Sequence, residues 1–557
     1  MKKKCLSRTV AAMLTGVMAA GILAGCGNQQ TTASQSTEKT KQSTASESVV
    51  STETTVSEEG VTYPVDTDEE LSLYIYDKGL LTLSSAYADY NEVPFYKGLS
   101  EKTGISIDWQ SYAEGADKVT AYNLLLQDEE LPSIIFGNTA NAQEIYTDGV
   151  IYDLTDYLET YAPDFWEYIN APENEANRKA IISDEGKFLY FPFIQESDYN
   201  ITYLGPVIRQ DWLDALSLEA PVTLEDWEEV LIAFRDNYGA YFSFPFGRYN
   251  TGGGIANGTG AYAALKVNYY VDNGDIKCAN TQEEWKNFLE VMNRWYDEGL
   301  LDPDFSGMDD TALRSKALNG QVGIAFTAMS QLTNFIADAE AENTGAQWVG
   351  LAYPRTEEDA PTTYIYTRSQ TANPAFGAVV TTSCSEEELI AAIKFLNYGY
   401  SEEGMMYWNF GEEGVSYEAA ADGRYRFTET ITGDERGIAE ALKDYTGMYS
   451  AGIGIQMADF VKAKNNDVAA EAVYVWTDNT VAAEHVKPSV TRTVEEQTRY
   501  SDINSQLNTY ISEMALKFVT GDEPLDNFDK FVEQLDAYGL QELLEIEQNA
   551  YERYMNK

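Results

Sequence analysis

The stretch GISIDWQ, residues 104–110, alternates apolar with polar side chains. This period of two puts the apolar residues on one face of an extended chain, which is typical of a β-strand. LSLYIYD (71–77) shows a similar alternation, and LPSIIFGN (131–138) has the continuous apolar centre of a buried strand. Helical patterns, VPFYKGLSEKTG (93–104) and ADKVTAYNLLLQDEE (116–130), separate the three. The order predicts an α/β fold with a mostly parallel sheet covered by helices on both faces.

Further along the chain, two helices are marked by their first residues. In TLED (223–226), Thr223 and Asp226 resemble a capping box, and apolar residues follow at helical spacing. Ser385 and Glu388 repeat the device at the start of SEEELIAAIKFL. The chain is too long for one hydrophobic core, so two or more subdomains are expected.

The N-terminus predicts export and a lipid anchor. MKKKCLSR (1–8) supplies positive charge ahead of the apolar segment TVAAMLTGVMAAGILAG (9–25), which together are typical of a signal peptide. The following Cys26 completes a stretch, LAGC, that resembles a bacterial lipobox, so Cys26 is the predicted lipidation site. Ordinary cleavage beside an incidental cysteine is the alternative. We expect a protein anchored by lipid to the outer face of the bacterial cell membrane.

Composition then divides the chain. Residues 28–59 are nearly all small or polar and include no aromatic residue, which predicts a disordered tether. The predicted division is a signal peptide (1–25), a Ser/Thr-rich tether (26–66), a first α/β lobe (67–200, with 370–430 returning to it), a second α/β lobe (201–369) and a mainly helical C-terminal region that packs on both lobes (431–557).

Charge and rare residues argue against several functions. The formal net charge of −52 repels nucleic-acid phosphates and anionic headgroups, so neither nucleic acid nor a membrane surface is an expected partner. His485 is the sole histidine, so the common nucleophilic triads and multi-histidine metal centres lack their imidazoles. We expect no enzyme activity, no cofactor and no metal. Cys278 and Cys384 either pair with each other or stay as isolated buried thiols.

Aromatic residues point to a class of ligand. The chain has 39 Tyr and 9 Trp, more tyrosine than a core needs, because each buried hydroxyl requires a partner. Flat apolar faces with a polar group at one end suit saccharides. Any single tyrosine is nevertheless more often structural than a ligand contact.

Seven segments, in order, resemble the extracellular solute-binding lipoproteins of ABC importers, specifically their large LplA-like, oligosaccharide-type group. The segments are LPSIIF, GKFLYFPF, VIRQDWLDAL with TLEDWEEVLIAF, WYDEGLLDPDF, GQVGIAF, YSEEGMMYWNFGEEGVSYE and KFVTGDEPLDNFDKFVEQLDAYGLQELLEIEQNAYERY. They are spread over nearly the whole folded body, and the last is the most specific.

The resemblance implies a type II periplasmic-binding-protein-like fold, in which two α/β lobes close by a hinge on a solute between them. It further implies that the solute is an oligosaccharide or other carbohydrate, that ABC permease subunits receive it and that the protein is a monomer. GKFLYFPF would cross into the second lobe and TRSQTANPAFGAVV would lead back. A peptide-binding or adhesion lipoprotein, or a glycosidase with paired carboxylates, is the alternative.

Loops at the carboxyl ends of strands hold the ligands of open α/β sheets, and they nominate the candidate contacts. Each candidate also has a structural interpretation as a turn, cap or core residue. The candidates are Tyr76, Asp77, Asn138, Glu196, Tyr199, Asn200, Arg248, Tyr249, Thr327, Met329 and Trp408. Arg209, Asp211 and Trp212 are interpreted as scaffold. Relatives often carry a calcium loop after the TLED helix, but RDNYGAYFSFPFGRYN (235–250) lacks the alternating oxygen ligands, so no calcium is expected there.

Overall fold

The computed structural model describes residues 60–128, 130–246 and 252–557. The predictions on the signal peptide, on Cys26 and on nearly all of the tether lie outside these ranges, as do those on Arg248 and Tyr249. The described strands are β1 (Glu70–Ile75), β2 (Ser106–Ser111), β3 (Ile134–Phe136), β4 (Phe191–Gln195), β5 (Leu204–Arg209), β6 (Tyr241–Ser243), β7 (Tyr269–Asp272), β8 (Asp275–Cys278), β9 (Val322–Ala328), β10 (Trp348–Gly350), β11 (Ala372–Val380), β12 (Tyr417–Ala419), β13 (Tyr425–Phe427) and β14 (Gly454–Gln456).

Helices account for most of the remaining regular structure. They are α1 (Pro94–Thr103), α2 (Lys118–Leu125), α3 (Ala142–Thr147), α4 (Thr155–Tyr161), α5 (Pro163–Asn170), α6 (Glu175–Ile181), α7 (Asp198–Ile201), α8 (Gln210–Leu216), α9 (Leu224–Tyr238), α10 (Glu283–Asp297), α11 (Asp310–Leu318), α12 (Met329–Ala341), α13 (Glu386–Tyr398), α14 (Glu402–Phe410), α15 (Glu429–Thr432), α16 (Ile438–Tyr445), α17 (Ala458–Ala463), α18 (Asp467–Trp476), α19 (Val494–Thr520), α20 (Phe528–Ala537) and α21 (Leu540–Met555). None of these helices is both long and apolar enough to cross a membrane.

Two larger sheets organise the two lobes. The first has the strand order β14-β4-β11-β3-β1-β2 and the second has the order β10-β5-β9-β6. Among the described strands, β11 alone runs against the others in the first sheet, and β5 alone does so in the second. The sequence therefore correctly predicts sheets in which most strands share one direction. It does not predict the reversed strands, which follow from long-range connections.

The reversed strands lie where the chain passes between the sheets. Residues 196–203 join β4 to β5, and residues 351–371 join β10 back to β11. The two passages contact each other, because the Thr202 hydroxyl donates to Thr367 over 3.2 Å and the hydroxyls of Tyr203 and Tyr366 lie 2.8 Å apart. GKFLYFPF ends within β4 of the first sheet, so the crossing follows this segment rather than lying within it.

Local sequence signals explain how several helices begin and end. Helix α1 starts at Pro94 and stops at Gly104, which adopts a left-handed φ of 72° that glycine tolerates best. The capping boxes predicted at Thr223 and Ser385 are both confirmed at the starts of α9 and α13. These caps satisfy backbone N–H groups that a helix leaves unbonded at its first turn.

The C-terminal region is helical, as predicted, and it also adds β14 to the first sheet. Helix α19 packs against α10 beside the second sheet, whereas α21 packs against α19 and α6. The folded body also starts earlier than the predicted boundary at residue 67. Tyr63 donates its hydroxyl to the Lys394 carbonyl over 2.6 Å, and the Val65 amide donates to Thr103. Cys278 and Cys384 are buried and unpaired with each other.

Helix α18 covers one face of the second sheet through a close contact. The Trp476 indole lies on Gly205 of β5 and donates from Nε1 to the Pro206 carbonyl over 2.8 Å. A Cβ added at Gly205 would lie 2.3 Å from the indole ring. Glycine at this position therefore sets the distance between helix and sheet.

We expect Gly205→Ala to lower the free energy of unfolding by about 2 kcal/mol, because the added methyl overpacks this contact. Urea unfolding followed by tryptophan fluorescence measures the change. Gly307→Ala is the matched control, since a Cβ there meets nothing within 4 Å. Equal stability of the two variants would contradict the packing of α18.

Candidate functional site

One cavity lies beside the carboxyl end of β3. It has a volume of about 560 Å³ and lies between residues 139–144, which lead into α3, and residues 487–501, which lead into α19. We call it the β3–α19 cavity. Hydroxyl and amide side chains dominate its polar lining, and these are Thr139, Asn141, Gln143, Ser183, Tyr190, Ser489, Thr491, Gln497, Thr498 and Ser501. The charged side chains of the lining are Glu144, Lys487 and Arg492. Such a lining can donate to and accept from an uncharged polar solute.

A buried ion cluster holds one wall of this cavity in place. Glu547 of α21 is fully buried and binds Lys487 at 2.8 Å and the Nε of Arg492 at 2.9 Å. Burial opposes ionisation of Glu547, but Lys487 and Arg492 outweigh it and hold the pKa of this carboxyl below its usual value. Both cations of the wall are thus bonded to a carboxylate.

The second cavity, which we call the tyrosine cavity, has a volume of about 400 Å³. Six tyrosines of the described ranges line it, namely Tyr262, Tyr269, Tyr270, Tyr364, Tyr366 and Tyr500. The rings of Tyr262 and Tyr270 stack at 4.3 Å, nearly parallel. The Tyr269 hydroxyl donates to Asn504 over 3.1 Å. Lys487 lines both cavities, so the two adjoin.

Three predicted contacts meet at the carboxyl edge of the first sheet. Asp77 pairs with Lys118, and the ring of Tyr76 packs edge-on against Tyr122 at 5.1 Å. Burial raises the pKa of the Tyr122 hydroxyl to about 12, partly offset by Asn138. The structure therefore brings Tyr76, Asp77 and Asn138 together, as their positions after β1 and β3 imply.

Glu196, Tyr199 and Asn200 lie in the first passage between the sheets. The Glu196 carboxylate accepts from the Ala458 amide over 2.6 Å, at the start of α17. Tyr199 is buried and donates to the Ala470 carbonyl over 3.0 Å. The amide nitrogen of buried Asn200 donates to the Gln456 carbonyl over 2.8 Å. Each of the three has a structural partner, and their role as ligand contacts stays a prediction.

The other candidates are more enclosed. Thr327 ends the apolar run of β9, and Met329 begins α12 with its sulfur 3.7 Å from the Tyr199 hydroxyl. Trp408 is 1% exposed and packs against Phe95 with ring centres 5.1 Å apart. The structure thus joins Met329 to Tyr199 and places Trp408 in the core of the first lobe.

None of the described candidates from the sequence is among the residues that line the two cavities. Lys487, Arg492 and Tyr262 come from positions without a motif. One signal was available, because TTYIYT (362–367) places two tyrosines directly before the segment predicted to return to the first lobe. The scaffold interpretation of Arg209 and Asp211 is confirmed by their paired hydrogen bonds of 2.8 and 2.6 Å.

Comparison with known proteins identifies the family. The family described as bacterial extracellular solute-binding protein matches residues 85–411, more than half of the chain. The chain belongs to this family. It is therefore an extracellular protein that binds a solute, and its two-lobed α/β fold is the fold that its structural neighbours share.

Relatives and solved structures extend over most of this solute-binding protein. Lipoprotein LipO of Bacillus subtilis is 22% identical over 84% of this chain and 90% of its own. The polygalacturonan/rhamnogalacturonan-binding protein YtcQ of the same organism is 23% identical over 81% of this chain and 86% of its own. The structure of the substrate-binding protein FusA of Streptococcus pneumoniae, in complex with kestose, has a TM-score of 0.66 at 20% identity and covers 88% of this chain and 100% of its own.

Within the three described ranges, no group of three or more His, Cys, Asp and Glu side chains could hold a metal ion. The segment after α9 that lacks calcium ligands in its sequence runs into residues 247–251, which are not described. The expectation of no calcium there stays a prediction.

We expect Glu547→Gln to lower the free energy of unfolding by about 3 kcal/mol at neutral pH, because it leaves two cations buried without a counter-charge. Folding lowers the pKa of Glu547, so the ionised carboxylate stabilises the folded state above about pH 4.3, the usual pKa of glutamate. This contribution to the free energy of unfolding is lost as the pH falls through the pKa that Glu547 has in the folded state. The stability difference between wild type and variant should therefore narrow below pH 4.3.

Denaturant unfolding between pH 3.5 and 7.5 measures this difference. Glu542→Gln is the matched control on the same helix, since its ion pair with Arg499 is about half exposed and should contribute little. A difference that stays constant over the whole pH range would contradict the role of the Glu547 carboxylate.

Proposed function

We propose that this protein captures a carbohydrate outside the cell and delivers it unchanged to the permease of an ABC importer. The β3–α19 cavity is the observation that carries the proposal. Its volume of about 560 Å³ falls within the range of about 300–1,000 Å³ that is usual for small-molecule sites. Its hydroxyl and amide lining matches the hydroxyl groups of a sugar.

The relatives support the same class of solute. FusA is named as a fructooligosaccharide ABC transporter substrate-binding protein, and YtcQ is named for polygalacturonan and rhamnogalacturonan. These relatives are binding proteins, which supports capture without turnover. The protein acts as a monomer in this proposal, and the permease subunits are its protein partners.

Capture proceeds by closure of the two lobes about the passages that join their sheets. A solute that contacts both lobes only in the closed form shifts the population toward that form. The lobes follow the predicted division except at its start, with 63–200 and 370–430 in the first lobe, 201–369 in the second lobe and 431–557 packed on both. Tyr76, Asp77 and Asn138 line neither cavity, but they are the proposed contacts of the first lobe in the closed form, since they cluster at the carboxyl edge of its sheet.

A lipid anchor at Cys26 keeps the protein at the cell surface, and the residues between Cys26 and Tyr63 act as its tether. The relative LipO is named as a lipoprotein, which supports this part of the proposal. The acyl chains hold the protein at the membrane while the folded body stays in water and reaches the permease.

We expect Ser501→Trp to abolish sugar binding, because Ser501 is an exposed residue of α19 whose side chain lines the β3–α19 cavity. The indole would fill the space while the fold stays intact. Thermal shift and calorimetric titration against panels of fructo-, galacto- and manno-oligosaccharides, oligogalacturonates and peptides measure binding, since a ligand of the folded state raises the melting temperature.

Ser505→Trp is the matched control, one helical turn further along α19 and outside the cavity lining. Unchanged sugar binding by Ser501→Trp would locate the solute elsewhere. Binding of peptides alone, or release of shortened sugars from the incubated oligosaccharides, would contradict the proposed function.

We expect Cys26→Ala to stop incorporation of labelled fatty acid and to move the protein from the membrane to the soluble fraction. Cys5→Ala is the matched control, because Cys5 lies in the predicted signal peptide and is removed with it. Metabolic labelling with a palmitate analogue and cell fractionation measure both effects. Labelling that persists in Cys26→Ala would place the anchor elsewhere.

A further inference from the structure

The two cavities lie along one face of α19. Gln497 and Ser501 line the β3–α19 cavity, whereas Tyr500 and Asn504 line the tyrosine cavity. At about 100° per residue these four positions fall within a third of the helix circumference. Lys487 is common to both linings. A solute that runs along this face of α19 would therefore reach both cavities.

Arg492 and Tyr500 stack on each other where the two cavities adjoin. The Arg492 guanidinium lies 3.7 Å from the ring centre of Tyr500. Arg492 lines the β3–α19 cavity, and Tyr500 lines the tyrosine cavity. This stacked pair therefore joins the linings of the two cavities.

The charged groups around the two cavities favour an uncharged solute. No carboxylate is among the described residues that line the tyrosine cavity, although the chain has 90 acidic residues. The cation that both cavities share, Lys487, is bonded to Glu547, and so is Arg492. An acidic sugar would have to compete with Glu547 for these cations, at the cost of an unpaired buried carboxylate. A neutral sugar meets no such cost.

The tyrosine lining suits sugar rings. The stacked pair Tyr262 and Tyr270 provides a flat apolar surface. Asn268, Thr363 and Asn504 add amide and hydroxyl groups to the lining. Sites for small polar molecules combine such apolar faces with a few polar groups that fix orientation.

We propose that the tyrosine cavity holds further units of one neutral oligosaccharide whose first units occupy the β3–α19 cavity. The inference rests on the proposed function and specifies the charge and the length of its solute. The preferred solute is neutral, binds one per protein and gains affinity with each unit that enters the second cavity.

Calorimetric titration of the full-length protein tests this with fructooligosaccharides of two to five units and with oligogalacturonates of the same lengths. We expect affinity to rise with length in the neutral series at a constant one-to-one stoichiometry. Tyr262→Ala should weaken binding of the longest member about tenfold and leave the shortest unchanged, since it removes one aromatic face. Tyr262→Phe, which keeps the aromatic ring, should bind the longest sugar as tightly as the wild type does.

Tyr238→Ala is the matched control, because Tyr238 also stacks on a ring, that of Trp212 at 4.2 Å, but lines neither cavity. Three results would overturn the inference while leaving the proposed function intact: equal loss for short and long sugars in Tyr262→Ala, affinity of the wild type that does not change with length, or tighter binding of the acidic series. Binding of neither series, nor of the galacto- and manno-oligosaccharides named above, would contradict the proposed carbohydrate function as well.

Discussion

The way in which the chain passes between its two sheets determines where everything else in the folded body lies. The chain leaves the first sheet at the carboxyl end of β4 and enters the second after eight residues, at the edge that faces it. Strand β5 must then run away from the first sheet, and β11 must run away from the second when the chain returns. The carboxyl ends of the other strands of both sheets consequently face each other, and their loops meet in the space between them.

The C-terminal region depends on this arrangement and completes it. Residues 487–501 add no strand to either sheet, yet they form a wall of both cavities. The buried carboxylate of Glu547 binds two cations of this segment and so attaches it to α21. A buried ion pair stabilises a protein little more than well-packed apolar residues in its place would. It does hold its two partners in one arrangement, because separating them would leave an unpaired buried charge. The shape of the β3–α19 cavity therefore depends on a residue outside its lining.

Sequence patterns predict the parts of the molecule whose causes are local. The capping boxes at Thr223 and Ser385 can be predicted because the cap and its partner lie three residues apart in the sequence. Tyr76, Asp77 and Asn138 can be predicted as neighbours because each follows the carboxyl end of a strand. The cavity lining has no such signal. Lys487 meets Glu547 sixty residues later in the chain, and Tyr262 and Tyr500, which line one cavity, are 238 residues apart in the sequence. Trp408 shows the same limit, since periodicity alone does not distinguish a cleft ring from one packed on Phe95.

The uneven placement of acidic residues has a consequence for how solute and salt interact. A chain with a net charge of −52 gathers a dense atmosphere of cations around its outer surface. Because none of the described residues that line the tyrosine cavity carries a carboxylate, that atmosphere has no reason to extend into it. A neutral sugar can enter this cavity without displacing bound cations. Its binding affinity therefore does not depend on the salt concentration.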